Sequence, residues 1–196
     1  MSISSLFEVI ADKVYKKGKL DNQSDFWNVF QNNGGGIANY QYAFAYGHWS
    51  DVNYNPKYTI VATYSVSYMY YRATLITDTK VDINVRQATA SSNVFNGASG
   101  LKTIRKIIVT ENNTYVGWFT GCSALEEITF EGVIGNDISF ADCPLLTVDS
   151  MLNIISCLKN FTGTSTTKTL VLGSENIAKL SDEAKQAITD KGWTYE

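Results

Sequence analysis

The sequence predicts an α+β fold in which a short β-solenoid of about four to five rungs lies between two caps. The N-terminal cap is helical and aromatic, and the C-terminal cap is helical. The main observation is a phrase that recurs four times, at spacings of 25, 24 and 21 residues. Its copies begin Tyr70-Tyr-Arg-Ala73, Phe95-Asn-Gly-Ala98, Phe119-Thr-Gly-Cys122 and Phe140-Ala-Asp-Cys143. A period in the twenties is typical of stacked supersecondary units, none of which can bury its apolar face alone.

Each phrase places an aromatic residue first, a small residue three positions later and a leucine five or six positions later. We expect the aromatic to fill the middle of the stack, and the small residue to let the return turn approach the preceding rung. The predicted core positions are Tyr70, Phe95, Phe119 and Phe140, then Ala98, Cys122 and Cys143, then Leu101, Leu125 and Leu146.

A strand follows the third phrase. Leu125-Glu-Glu-Ile128-Thr-Phe130 matches the pattern L-x-x-L-x-L, and its alternation predicts Ile128 and Phe130 inside with Thr129 and Glu131 outside. Ile104-Arg-Lys-Ile107-Ile-Val109 matches the same pattern, with Ile104 in the place of Leu125. This alignment predicts three extra residues between Leu101 and the strand of its repeat. These patterns favour the leucine-rich-repeat class of solenoid.

The wording F-x-x-C-x-x-L-x-x-I over residues 70–150 resembles the BspA-like leucine-rich repeats of Gram-positive bacteria, found in surface proteins and in phage-associated proteins. The aromatic segment before the repeats and the tail after them resemble the ends of phage and prophage repeat proteins. The resemblance implies a non-enzymatic virion structural protein of a phage, associated with tail, baseplate or fibre. Its repeat surface would serve protein binding or host attachment. A bacterial surface adhesin or interaction module is the alternative.

The same resemblance implies partners and a location. Other virion proteins, further copies of this chain (a homotrimer among the forms considered) and a host-surface glycan or protein are the expected partners. The expected location is the virion, reached from the bacterial cytoplasm without a signal peptide, since Glu8 and Asp12 interrupt the N-terminal apolar stretch. The bacterial cell surface is the alternative location.

The N-terminal 23 residues are predicted to form an assembly or anchor unit. Residues 4–17 read as a helix that ends near Gly18, with lysines in its last turn. An apolar stripe at spacings of 4, 3 and 4 is an a/d seam that needs another surface, either on the same domain or on a partner. The predicted assembly contacts are Ile3, Phe7, Ile10 and Val14.

Residues 24–66 are predicted to form an aromatic cap before the repeats at 67–148. A short helix is expected at 24–32 with Ser24 as its N-cap. The residues from 37 to 71 are rich in aromatics, and alternation at Tyr40, Tyr42, Phe44 and Tyr46 predicts a strand. Core packing is the default interpretation of these aromatics, and a ledge that stacks on sugar rings is the alternative.

Residues 149–196 are predicted to form the C-terminal capping unit. A helix is expected over 150–158, capped by Thr147 or Asp149. A strand over 168–173 should point Leu170 and Leu172 inward. A last helix should begin at Ser181 and end at residues 191–192, before Trp193-Thr-Tyr195.

Composition argues against several functional classes. The chain has 196 residues and a net charge of −3, with no basic footprint for nucleic acid. No apolar run approaches the roughly 18 residues of a membrane helix, so we expect no membrane insertion.

The sequence also shows no group of residues suited to catalysis or to metal binding. His48 is the single histidine, in an aromatic segment. Glu126 and Glu127 should point to opposite faces of a strand, while Asp137 and Asp142 read as turn residues. Cys122 and Cys143 are predicted to be reduced core residues, with a disulfide between them as the alternative. We therefore predict no enzyme, no cofactor and no metal. The binding candidates are the strand-face residues Lys102, Arg105, Glu127, Thr129 and Glu131.

Overall fold

The computed structural model describes residues 40–41, 44–45 and 59–196. The helices predicted at 4–17 and 24–32, the assembly residues Ile3, Phe7, Ile10 and Val14, and His48 lie outside these residues. Within the described part, none of the helices has the length and apolar character needed to cross a membrane.

The described strands form two parallel sheets. The first contains β1 (Thr59–Val61), β2 (Asp82–Asn84), β3 (Thr103–Val109) and β4 (Glu127–Gly132), in that order. The second contains β5 (Ile138–Ser139), β6 (Lys168–Val171) and β7 (Trp193–Tyr195), also in chain order. Three helices accompany them: α1 (Val148–Cys157), α2 (Ser174–Ile177) and α3 (Asp182–Asp190).

The prediction of one leucine-rich-repeat solenoid of four to five rungs is wrong, because the strands belong to two small sheets of four and three strands. The physical cause is α1, which lies along the outer edge of β4. The amide N–H of Phe130 donates to Oδ1 of Asn153 at 2.7 Å, and Nδ2 of Asn153 donates to the Phe130 carbonyl at 3.2 Å. The N–H of Ile128 donates to Oγ of Ser150 at 3.0 Å. Helix side chains thus occupy the hydrogen-bonding positions of a fifth strand, and the first sheet ends there.

The two longer C-terminal helices, α1 and α3, begin at capping side chains. Thr147 accepts from the N–H of Ser150 at 3.3 Å, and Ser181 accepts from the N–H of Ala184 at 3.3 Å. These bonds satisfy amides that have no partner inside a helix. The end of α1 is held by Lys191, whose Nζ donates to the carbonyls of Ile155, Ser156 and Leu158 at 2.8, 2.8 and 3.1 Å. The predicted bounds of α1, α3 and β6 are confirmed to within two residues. No prediction was made for α2 or β7.

The register of β3 against β4 corrects the repeat alignment. Ile104 pairs with Ile128, which makes Leu101 the counterpart of Leu125, so the predicted three-residue insertion after Leu101 is wrong. The irregularity is a β-bulge farther along, where two residues of β3 lie opposite Thr129 alone. The bulge adds one residue to β3 without displacing the preceding turn.

The core is a column of aromatic rings that runs through all four phrases. Successive centroids are 5.3 Å apart for Tyr70 and Phe95, 5.7 Å for Phe95 and Phe119, and 4.6 Å for Phe119 and Phe140, with planes within 18° of parallel. Phe44 extends the column and stacks on Tyr70 at 4.7 Å. The side chains of all ten predicted core residues are buried: Tyr70, Phe95, Phe119, Phe140, Ala98, Cys122, Cys143, Leu101, Leu125 and Leu146. Ala73, the small residue of the first phrase, is buried as well.

Two sequence predictions near the start of the repeats need correction. Leu75 is 44% exposed, and the buried residue is Ile76, six positions after the aromatic as in the other phrases. Phe44 and Ala45 lie in a turn rather than the predicted strand, while Tyr42 and Tyr46 lie outside the described residues. The buried Tyr40, Phe44 and Tyr70 follow the core-packing interpretation, whereas Tyr64 is 59% exposed.

The thiols of the third and fourth phrases bond across to the preceding phrase. Sγ of Cys122 donates to the Phe95 carbonyl at 3.2 Å, and Sγ of Cys143 donates to the Phe119 carbonyl at 3.7 Å. Both cysteines are free and buried, as predicted. Burial raises the pKa of Cys122 to about 12, and the pKa of Cys143 shifts in the same direction for the same reason.

Candidate functional site

The solvent-facing side of the first sheet carries a set of charges that the bulge in β3 brings together. Residues of a regular strand alternate between faces, but the extra residue turns both Arg105 and Lys106 outward. Nε of Arg105 lies 3.0 Å from Oδ1 of Asp82, and Nζ of Lys106 lies 3.9 Å from Oδ2. We call this solvent-facing side of β2, β3 and β4 the outer face.

The bulge is anchored from the segment that precedes β2. The N–H of Arg105 donates to Oγ1 of Thr79 at 3.1 Å, and Thr79 is fully buried. The Arg105 guanidinium also donates to the Lys80 carbonyl at 3.4 Å. Arg105 is therefore held toward β2, away from β4.

The ion pairs continue across the outer face as a network. Lys106 pairs with Glu131 at 3.1 Å, and Glu131 pairs with Arg86 at 3.3 Å. Exposed pairs of this kind contribute about 0–1 kcal/mol each, so their main effect is to fix side-chain positions rather than to stabilise the fold.

A groove of about 320 Å³ lies beside this network, between β3, β4 and the beginning of α1. Its polar lining consists of Thr103, Arg105, Glu127, Thr129, Thr147, Asp149 and Ser150. Ile104 and Ile128 also line it, and both are otherwise buried in the core, so they give the groove a rigid floor.

The groove carries two carboxylates, one of which, Asp149, lies in the first turn of α1, where the helix dipole favours a negative charge. The side-chain carboxylates of Glu127 and Asp149 have no ion-pair or hydrogen-bond partner among the residues that the structure describes, although the Glu127 N–H donates to the Lys102 carbonyl at 3.0 Å. Neighbouring charges are matched, because Lys102 lies 3.6 Å from Glu126 and Arg105 contacts Asp82. The groove is therefore locally negative and could accept a cationic or hydrogen-bond-donating group.

An apolar shelf adjoins the groove. Val148 and Leu152 share one face of α1, and Leu145 lies in the turn that precedes the helix. Their exposed fractions are 42%, 43% and 50%. We call these three residues the apolar shelf; none of them lines the groove, but Val148 lies between the groove residues Thr147 and Asp149 in sequence.

The structure brings together three of the five predicted binding residues. Arg105, Glu127 and Thr129 line the groove, whereas Lys102 and Glu131 are engaged in ion pairs beside it. Asp142 lies in a turn as predicted, whereas Asp137 lies in the irregular segment before β5. Both carboxylates accept from distant backbone N–H groups, those of Thr169 for Asp137 and Gly121 for Asp142, at 2.8 Å.

The sequence analysis missed Asp82 and Asp149. Asp82 could have been found, because Val81-Asp-Ile-Asn-Val85 alternates apolar and polar residues as a half-buried strand does. Asp149 carried no such signal, since only the placement of α1 against β4 brings it to the groove.

No metal-binding group of three or more His, Cys, Asp or Glu residues occurs within residues 40–41, 44–45 and 59–196. The chain matches no protein-family model, no curated protein and no solved structure. The BspA-like resemblance accordingly stays a prediction.

Proposed function

We propose that this protein is a non-enzymatic structural component of a phage particle, associated with tail, baseplate or fibre. Its outer face and groove bind another virion protein, a further copy of the chain or a host-surface molecule. The observation that supports binding most directly is the pair of carboxylates, Glu127 and Asp149, that line one groove without a partner in the described part of the fold.

The surroundings of this pair suit recognition of a macromolecule. The ion pairs of Arg105, Lys106 and Glu131 hold the adjacent side chains in place, so less conformational entropy is lost when a partner binds. Charged groups that stay unmatched in the free protein give specificity and faster association with a partner of opposite charge.

The assignment to a phage particle rests on the sequence. The repeated phrases and the segments before and after them resemble phage-associated proteins, and the apolar stripe of the first 23 residues is predicted to be an assembly element. The bacterial adhesin is the second candidate, because the same phrases occur in surface proteins of that class.

Co-sedimentation with particles tests this proposal. Lysates of an infected or induced host are separated on two successive density gradients, with a high-salt wash between them, and the protein is quantified by mass spectrometry. A constant ratio to the major capsid protein is the expected result. Recovery only in the soluble host fraction would contradict it, and recovery on intact host cells before lysis would favour the adhesin.

A further inference from the structure

We propose that a surface cluster in the turns that precede β2 and β3 binds an acidic saccharide. The cluster contains Tyr68, Tyr71 and Arg72 of the first phrase with Asn93 and Asn96 of the second, and we call it the tyrosine–arginine cluster. This inference goes beyond the proposed function, because the cluster lies outside the groove and outside the strands of the outer face.

Two residues of the cluster adopt a backbone conformation that is unfavourable for their side chains. Tyr68 and Arg72 have φ values of 59° and 52°, in the left-handed region where a bulky side chain costs energy. The residues at the same places in the second and third phrases are asparagine or glycine: Asn93 and Gly117 for Tyr68, Gly97 and Gly121 for Arg72. The turn therefore forms without a tyrosine or an arginine, and strained residues of this kind are typical of ligand sites.

Both strained side chains meet on the ring of Tyr71. The Tyr68 ring packs edge-on against it, with centroids 5.4 Å apart and planes at 82°, and the Arg72 guanidinium carbon lies 5.2 Å from the Tyr71 centroid. Gly97 makes room for this arrangement, since a Cβ there would lie 2.9 Å from Cγ of Arg72. The guanidinium is therefore positioned before any ligand binds.

The charge of Arg72 is unmatched. Its side chain is exposed and forms neither an ion pair nor a hydrogen bond with the residues that the structure describes. By contrast, Arg86 pairs with Glu131 and Arg105 pairs with Asp82. A guanidinium offers parallel N–H donors that fit two oxygens of a carboxylate or phosphate, so the cluster selects an anion.

Two amide side chains of the second phrase adjoin Arg72. The Arg72 N–H donates to the Asn96 carbonyl at 2.8 Å, and Nδ2 of Asn96 donates to Oδ1 of Asn93 at 3.1 Å. Oδ1 of Asn96 and Nδ2 of Asn93 have no hydrogen-bond partner in the described part of the chain, which leaves one acceptor and one donor. Gly117 keeps them uncovered, since a Cβ there would lie 2.3 Å from Oδ1 of Asn93.

These groups together fit an acidic sugar. The C–H-rich face of a sugar ring packs on tyrosine rings, and neighbouring sugar hydroxyls pair with an amide donor and an amide acceptor. A carboxylate or phosphate on the sugar binds the guanidinium. An acidic peptide would satisfy Arg72 but has no neighbouring hydroxyls for Asn93 and Asn96.

Binding titrations on the full chain test the site. The probes are a galacturonic acid trimer, a glucose phosphate, a neutral galactose trimer and a glutamate trimer, followed by calorimetry and saturation-transfer NMR. We expect at least one acidic sugar to bind and to receive saturation at its ring C–H protons, and whether the uronic acid or the phosphate binds identifies the anionic group. The neutral trimer and the peptide should bind at least about tenfold more weakly. Equal binding of either one, or no binding of both acidic sugars, would overturn the proposal.

Substitutions taken from the other phrases separate binding from folding. R72G and Y68N introduce the residue types found at positions 97 and 93, so both variants should stay folded, and R72G should melt at or above the wild-type temperature. Each should bind the acidic sugar at least about tenfold more weakly. K185Q removes one positive charge on α3 and should bind like wild type. Wild-type affinity in folded R72G and Y68N would overturn the inference.

Failure of this site can be separated from failure of the proposed function, because the titrations use purified protein. If the protein co-sediments with particles but binds neither acidic sugar, the inference is wrong and the virion assignment stands. If it binds an acidic sugar through Arg72 but is recovered only in the soluble host fraction, the inference stands and the virion assignment is wrong.

Discussion

The rings of Phe119 and Phe140 lie face to face, 4.6 Å apart and inclined by 18°, although their units contribute strands to different sheets. The aromatic column therefore crosses the boundary at which the strand pairing stops. The two sheets share one core because the phrases continue to stack where the strands do not.

Truncation in the middle of the column should be strongly destabilising. We expect Phe119→Ala to lower the free energy of unfolding by about 3–5 kcal/mol, since it removes a fully buried ring with neighbours on both faces. Val116→Ala is the control, because Val116 is 68% exposed in the same unit and should change stability by less than about 0.5 kcal/mol. Urea unfolding measures both, and similar losses would contradict the stacking account.

Loss of the edge contact from α1 should expose β4. Asn153→Ala removes both hydrogen bonds to Phe130, and we expect a loss of about 1–3 kcal/mol with concentration-dependent aggregation. Asn112→Ala, in an exposed turn, should change neither property. Unfolding curves and light scattering at rising concentration measure the effect, and a monomeric N153A of wild-type stability would refute it.

The phenol of Tyr115 is a site where stability can be gained. Its hydroxyl is buried without a hydrogen-bond partner in the described part of the chain, and burial raises its pKa. Tyr115→Phe should leave stability unchanged or raise it by about 1–2 kcal/mol, because an unsatisfied buried hydroxyl carries a desolvation penalty. Tyr64→Phe at an exposed ring is the matched control. A loss above about 1 kcal/mol in Y115F would reveal a bond that the structure does not show.

Alkaline pH should destabilise the protein through Cys122 and Cys143. Their folded pKa values are raised above the ordinary 9.0, so their contribution to stability is full below pH 9 and is lost as pH rises toward about 12. Each thiol should contribute a slope of about −1.4 kcal/mol per pH unit over that range.

The double variant C122A/C143A isolates this slope. Alanine is the native residue at the equivalent positions 73 and 98, so the substitution fits the fold. Its unfolding free energy should fall less steeply between pH 9 and 11 than that of the wild type. Parallel curves for the two proteins would show that other groups cause any alkaline loss.

The sequence predicted the core better than the topology. Periodic aromatics identify buried positions because burial is a local consequence of side-chain type, and this held at Tyr70, Phe95, Phe119 and Phe140. The end of the first sheet depends on whether a strand or a helix covers β4. That choice is made by Ser150 and Asn153, whose bonds to β4 span more than 20 residues of sequence.

The candidate site was predictable in part for a similar reason. Outward residues of β4 follow from strict alternation, which placed Glu127, Thr129 and Glu131 correctly. The bulge breaks this alternation in β3. Strict alternation would put Arg105 and Lys106 on opposite faces, so the sequence could not predict that both lie near Asp82.

Because the thiols of Cys122 and Cys143 bond to carbonyls of the preceding unit, the rate at which each thiol reacts reports how often the two units separate. A reagent that alkylates thiols can reach Sγ of Cys122 only when its unit separates from that of Phe95, whereas the half-buried Cys157 reacts from a more open position. Under native conditions the modification rate at each site therefore reports the free energy of parting one pair of neighbouring units. The chain thus contains its own probes of how cooperatively its layers come apart.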